Sequence, residues 1–280
     1  MKKSVLLTAA GLAILSTGTV GANAQVLYST AGGNYGQNFD TLSVSPEGTD
    51  TAWTDNTTLT GWYATKGTPA VTQTAYRPGT GSSNTGALYA FGSNGSIDRA
   101  LGSLASGGTG TEVYGVRITN TTGQTLTSFD LSYFGEQWRD GGINGTTQSV
   151  PNTLAFDYSL NATSLSTGTY TTNAGLSFTS LINANGSGAA LNGNLPANRT
   201  SIVGTISNLV WLNGTDLWLR WSDINDGGND HGIALDNLTF TAKASAAAPP
   251  STPEPSTVAF LTAFGFSGTA LLRRRRAARK

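Results

Sequence analysis

The residues whose types and spacing carry the most chemistry lie in one stretch, Trp221-Ser222-Asp223-Ile224-Asn225-Asp226-Gly227-Gly228-Asn229-Asp230-His231-Gly232. Three carboxylates, two amides and two adjacent glycines stand there together. Hard cations take clustered oxygen ligands on a turn free enough to wrap them, so Asp223, Asn225, Asp226 and Asp230 form a candidate metal set, and calcium is the cofactor they would hold. The spacing departs from the EF-hand loop: Gly227 stands where a third acidic or amide ligand belongs, and Ala234 where the bidentate glutamate belongs. The competing reading is a solvated strand connection, because Asn, Asp and Gly are also the residues that turns demand. His231 is the single histidine, which argues against a centre built from several imidazoles. Beside Asp230 it is either a base or a ring hydrogen-bonded to a neighbouring loop.

A second cluster runs Gly135-Glu136-Gln137-Trp138-Arg139-Asp140-Gly141-Gly142. Paired Glu136 and Asp140 suggest glycoside hydrolysis, but that chemistry needs two carboxyls at a set separation across a cleft, which spacing in sequence does not supply. The commoner use pairs Arg139 with a carboxylate and stacks Trp138. Trp138 and Arg139 are therefore candidates for the rim of a ligand site, with a structural corner as the alternative. The chain has no cysteine, which removes thiol catalysis, disulfides and thiolate-bound metals. No motif marks a serine nucleophile, and no glycine loop cradles phosphate before a helix. The expectation is a non-enzyme with no catalytic residue; the alternative is a hydrolase working through Glu136, Asp140 or Asp223. Six tryptophans invite stacking on sugar rings. Trp218 and Trp221, three apart in one strand, point to opposite faces, so at least one is expected outward.

The elements that must position these groups read as strands. Leu154, Phe156, Tyr158 and Leu160 alternate with small or polar residues, as do Tyr114, Val116 and Ile118, then Phe129, Leu131 and Tyr133, then Leu217, Leu219 and Trp221, and finally Ala234, Asp236, Leu238 and Phe240. Turn clusters separate them at 79–86, 106–110, 141–145 and 183–188. No amphipathic helix stands out between residues 25 and 245. The composition, with 36 glycines, predicts an all-β body, an antiparallel jelly-roll-like β-sandwich of ten or so strands over residues 25–243. Residues 244–251, small residues and prolines, read as a linker. The formal charge of zero is misleading: half of the 16 basic residues sit in the two termini, so the body carries about −7 and has no electrostatic footprint for nucleic acid.

Both ends read as addresses. Lys2 and Lys3, the apolar run 5–15 and Ala22-Asn23-Ala24 describe a secretory signal peptide, residues 1–24, removed by signal peptidase after translocation by the general secretion machinery. At the other end Pro253-Glu254-Pro255 precedes an uncharged apolar run, 258–272, that stops at Arg273, Arg274, Arg275 and Arg276. Fifteen helical residues reach only about 22 Å, short of a hydrocarbon core of about 30 Å, and snorkelling arginines extend that reach while holding the C-terminus in the cytoplasm. The three parts in this order, within 252–280, resemble the PEP-CTERM sorting signal of Gram-negative bacteria. The resemblance implies an exosortase partner, a transient inner-membrane transmembrane helix, and delivery to the cell surface or extracellular matrix.

The body carries a weaker resemblance. Gly135 to Gly142, Asn198-Arg199-Thr200, Leu217 to Asp223 and Gly228 to Gly232 resemble an uncharacterised extracellular β-sandwich module of secreted bacterial proteins, some of which continue into a nuclease that this chain lacks. The ending Gly232 to Leu238 is similar to the last strand of carbohydrate-binding jelly rolls, which implies Asp236 as a further calcium ligand. Together these imply a non-catalytic binding or structural sandwich with exopolysaccharide as a partner.

Overall fold

The computed structural model describes residues 25–44, 47–143, 149–184 and 186–245. The expected signal peptide, Pro253-Glu254-Pro255, the 258–272 helix and Arg273 to Arg276 lie outside the described residues. The described compact unit ends at Ala244.

The described residues hold two short 3₁₀ turns and seventeen strands. In chain order the first eight strands are β1 (Val26–Tyr28), β2 (Tyr35–Gln37), β3 (Thr51–Ala52), β4 (Trp62–Lys66), β5 (Val71–Thr72), β6 (Ala75–Gly79), β7 (Ala87–Phe91) and β8 (Ala100–Leu104). The long ones follow: β9 (Glu112–Asn120), β10 (Leu126–Gly142) and β11 (Thr153–Ser159). The rest are β12 (Thr171–Thr172), β13 (Phe178–Thr179), β14 (Ser187–Ala190), β15 (Arg199–Ile206), β16 (Asp216–Asp223) and β17 (Gly232–Ala244). The count exceeds the expected ten because many are pairings of two or three residues at sheet margins.

Two sheets form a β-sandwich. Sheet A runs β12-β11-β16-β9-β4-β5, and sheet B runs β14-β10-β17-β8-β7-β6-β3, with β15 also on β10 and β2 on β17. Pairing is antiparallel except that β1 lies parallel to β9 and β6 parallel to β7. Each alternating run in the sequence became a strand, since period-two apolar residues bury one face. Val116, Leu219, Phe156, Leu131 and Phe240 meet between the sheets in one core, where Trp62 stacks on Trp221 at 5.9 Å.

Three features depart from simple alternation. Along β17 the expected single face of Ala234, Asp236, Leu238 and Phe240 is broken at Asn237, which has φ +51°. Its pairing with β10 shifts there, Ser132 facing Thr239 but Phe134 facing Asp236. This bulge reverses parity. Ile233 and Leu235 join Leu238 and Phe240 in the main core, while Ala234 packs with Tyr89, Phe91 and Trp138 on the far side of sheet B, and Asp236 goes with it. Along β10 one face is partly open up to Phe134, but from Gly135 to Trp138 both faces are buried. The third departure is Trp218, which points away from the core as its spacing demands yet is buried beneath Ala162 and Leu165, beside Tyr63. The expected outward tryptophan is therefore covered by a loop that sequence periodicity does not register.

Candidate functional site

The two chemical clusters of the sequence meet because β10 and β17 pair in register, Gln137 opposite Ile233 and Arg139 opposite Gly232. At that end of the sandwich lies a cleft of about 370 Å³. Its lining includes Asn84, Ser106, Arg139, Ser187, Asn225 and Asp230, with backbone from several glycines. Glycine is required where chains crowd: a Cβ on Gly141 would fall 2.3 Å from the Asn229 carbonyl oxygen. Arg139 is held from behind, donating through Nη1 to the carbonyl oxygens of Gly81 (3.0 Å) and Ser82 (3.2 Å). Asn225 is exposed. Asp230 accepts the backbone N–H of Asp226 at 2.8 Å, and burial raises its carboxyl to about 6.

Trp138, expected at the rim beside Arg139, is instead interior. Its ring lies parallel to Phe91 at 6.0 Å, and Phe91 stacks in turn on Tyr89 at 4.6 Å. Two segments cover this aromatic row. A Cβ on Gly193 would lie 2.4 Å from Trp138 Nε1, and one on Gly81 would lie 1.8 Å from its carbonyl oxygen. The indole N–H donates to Glu136 Oε2 at 2.9 Å.

The expected metal set is not brought together. Asp223 faces the space between the sheets, buried, and accepts the Ser103 hydroxyl at 2.7 Å. Asp236 lies on the opposite face of sheet B, where Glu136, Asp98 and Asp40 are the charges it feels. Asn225 and Asp230 line the cleft, while Asp226 donates its N–H to Asp230 and turns its carboxyl toward Asn152. Among the described residues no group of three or more His, Cys, Asp or Glu is placed to hold an ion. One loop cannot serve an ion from both sides of a sheet.

Glu136 and Asp140 do not flank the cleft as a catalytic pair. Glu136 is fully buried, and burial pushes its carboxyl up to about 7; burial and the Glu136 charge push Asp236 up to about 8. Asp140 is buried and accepts the backbone N–H of Gly142 and of Ala184 at 3.1 and 3.0 Å. It is occupied as a turn brace.

His231 resolves into a structural role through its tautomer. Gln137 Oε1 accepts the N–H of Leu181 and Ile182, which orients the amide so that Nε2 donates to the Ile182 carbonyl oxygen and to His231 Nδ1, the latter at 2.8 Å. With Nδ1 accepting, the proton sits on Nε2, which faces Ser149 Oγ at 3.1 Å and Asp140 at 3.7 Å. A serine, a histidine and an aspartate thus adjoin, but a general base needs a free Nε2 lone pair toward the hydroxyl. The ring is fully buried, and burial lowers its pKa below the ordinary value.

The cleft residues that sequence reasoning passed over, Asn84, Ser106 and Ser187, all come from clusters read only as turns. Their signal was present as polar side chains in three turn-rich segments, without a sign that these segments converge.

No family model and no curated protein matches the chain. Among solved structures it is similar to the CBM22-1 xylan-binding domain from Paenibacillus barcinonensis Xyn10C, at 14% identity over 78% of this chain and 99% of that one, with a TM-score of 0.34. It is similar also to the K2 cleaved adhesin domain of Lys-gingipain, at 15% identity over 75% and 99% and a TM-score of 0.36. TmCBM61, solved in complex with β-1,4-galactotriose, is a third, at 9% identity over 54% and 74% and a TM-score of 0.26.

Proposed function

We propose that the body is a non-catalytic binding module for a hydroxyl-rich polymer, a polysaccharide, carried by an exported chain. The observation that carries this reading is the cleft, in which the exposed Asn84, Ser187 and Asn225 and the half-buried Ser106 converge with one braced guanidinium, while Glu136 and Asp236 lie outside it, buried. Amide and hydroxyl pairs match the donors and acceptors of sugar hydroxyls. A binding face of this kind selects by hydrogen-bond geometry, with stacking secondary, because the aromatic row of Tyr89, Phe91 and Trp138 is covered. Non-catalysis is supported by the burial of Glu136 and Asp236 and by the Nε2–H tautomer of His231.

In this reading signal peptidase removes residues 1–24, and residues 258–272 hold the chain in the inner membrane until an exosortase acts at Pro253-Glu254-Pro255. The body is then delivered to the cell surface or matrix, where exopolysaccharide is its partner. Among the described residues no helix is long and apolar enough to cross a membrane, so this anchoring rests on the sequence pattern.

The test is a pull-down against the producing organism's own exopolysaccharide and a glycan array, run beside hydrolysis assays on the same ligands. Retention that is lost in the Asn84→Ala/Asn225→Ala double variant, with no turnover, is the expected result. Turnover abolished by Asp230→Asn, the one carboxyl lining the cleft, would replace the binding reading with a hydrolase.

A further inference from the structure

A second group of acidic residues lies below the cleft and takes no part in it. Glu112 on β9 and Asp223 on β16 face each other in register across two adjacent strands. Both are fully buried on the side of sheet A that carries Tyr114 and Trp221 into the core. Residues directly opposed on one face of an antiparallel pair have Cβ atoms about 4.5–5.5 Å apart. Each acid has one oxygen occupied: Gln73 Nε2 donates to Glu112 Oε2 at 2.5 Å, and Ser103 Oγ donates to Asp223 Oδ2 at 2.7 Å.

The other oxygens lie near the Thr109 hydroxyl, the Ala105 N–H and the Ser103 hydroxyl, but none of these completes a hydrogen bond to them. Glu112 Oε1, Asp223 Oδ1 and the phenol oxygen of Tyr114 are all buried without a hydrogen bond. Tyr114 is two residues from Glu112 on the same face of β9, and its hydroxyl feels the charges of both Asp223 and Glu112. The nearby Ser103 hydroxyl is already committed to Asp223. Buried polar atoms are nearly always paired, so orphans call for an explanation one by one. Three orphan oxygens in a single cross-strand patch share one.

We propose that Glu112, Asp223 and Tyr114 form a buried site for a divalent cation, with calcium the ion whose oxygen preference they fit. Two carboxylates balance the charge of one dication, and among the described residues no salt bridge reaches either acid. Lys66 stands opposite Glu112 on β4 but is partly exposed. Hard cations accept neutral oxygens alongside carboxylates, so the phenol, the Ser103 hydroxyl and water complete the donor set. The site is distinct from the four ligands expected of the 221–232 turn, of which only Asp223 belongs to it. It is also independent of the polysaccharide reading, since it lies between the sheets.

The experiment uses the full chain, stripped with chelator and titrated with calcium, then magnesium and manganese, by calorimetry and thermal melting. The expected result is binding with a rise in Tm, because a ligand that binds only the folded state stabilises it. Glu112→Gln and Asp223→Asn should each weaken binding by at least tenfold and abolish the rise, and Tyr114→Phe should weaken it less. Folding failure is distinguishable, since the metal-free Tm of Glu112→Gln should equal or exceed that of the parent once a buried charge is removed. The proposal is overturned if the stripped parent takes up none of the three ions, or if both carboxylate variants keep the full calcium-dependent rise. Neither result depends on whether polysaccharide is bound.

Discussion

Replacing Glu136 by Gln should make the protein more stable at pH 8 while leaving it nearly unchanged at pH 4.5. Burial lifts the Glu136 carboxyl from 4.5 to about 7 in the folded chain, against the pull of the Trp138 N–H and of Arg199, whose guanidinium is 3.9 Å away. A carboxyl with a raised folded pKa holds its proton more tightly when folded. Between pH 4.5 and 7 the folded state therefore binds more protons than the unfolded one, and stability falls as pH rises through that window. Below 4.5 both states are protonated and no penalty exists; above about 7 the cost is complete. At 1.36 kcal/mol per pH unit, this rise corresponds to roughly 3 kcal/mol. Gln keeps the shape and an acceptor for the Trp138 N–H but never carries charge. It also removes the charge that helps raise Asp236 to about 8. The assay is urea denaturation of parent and variant at pH 4.5 and pH 8, compared at equal m-value. An equal loss of stability at both pH values, or a parent that gains stability from pH 5 to 8, would refute the reasoning.

Three further outcomes can be measured. Gly81→Ala should cost roughly 3 kcal/mol or more, since φ is +80° and the new Cβ would sit 1.8 Å from the Trp138 carbonyl oxygen, whereas Gly123→Ala, at φ +77° in open space, should cost only about 1 kcal/mol in denaturant melts. Asn237→Val should lose about 1–2 kcal/mol, because a β-branched residue resists the left-handed conformation, while Asn237→Gly should be nearly neutral in the same melts. A chain ended at Ser245 should keep its β circular dichroism and Tm, as the compact unit closes at Ala244.

The strands were legible wherever one face is wet. Phe129 to Tyr133 alternates because the side that carries Asp130 and Ser132 stays partly open to water, which selects polar residues there. The signal fails where both faces are covered, as from Gly135 to Trp138, and there Trp138 looked like a rim residue. What covers it comes from 79–86 and from Gly193, segments remote in sequence. The apparent run from Ala234 to Phe240 hid a parity change at Asn237, since a single residue at positive φ leaves the spelling of the strand unaltered. Arg139, Asn225 and Asp230 were singled out for their chemistry and do meet at the cleft. Asp223 and Asp236 were grouped by proximity along the chain, which does not say that a sheet stands between them. Glu112 was invisible as a partner because its register with Asp223 is set by the pairing of β9 and β16, more than a hundred residues apart.

The position of β17 governs the timing of assembly. Among the described residues, 232–244 form the last strand made, yet they lie in the middle of sheet B, between β10 and β8, and also pair with β2 near the beginning. Until they arrive, β8 and β10 are both open edges and the sheet exists only as two halves. Contacts of such long sequence separation form late and slowly. A chain made from its N-terminus therefore stays unfinished until almost the whole body is present. Loss of the final thirteen residues of the body would not trim the sandwich but leave two unpaired edges, the kind of surface on which chains aggregate.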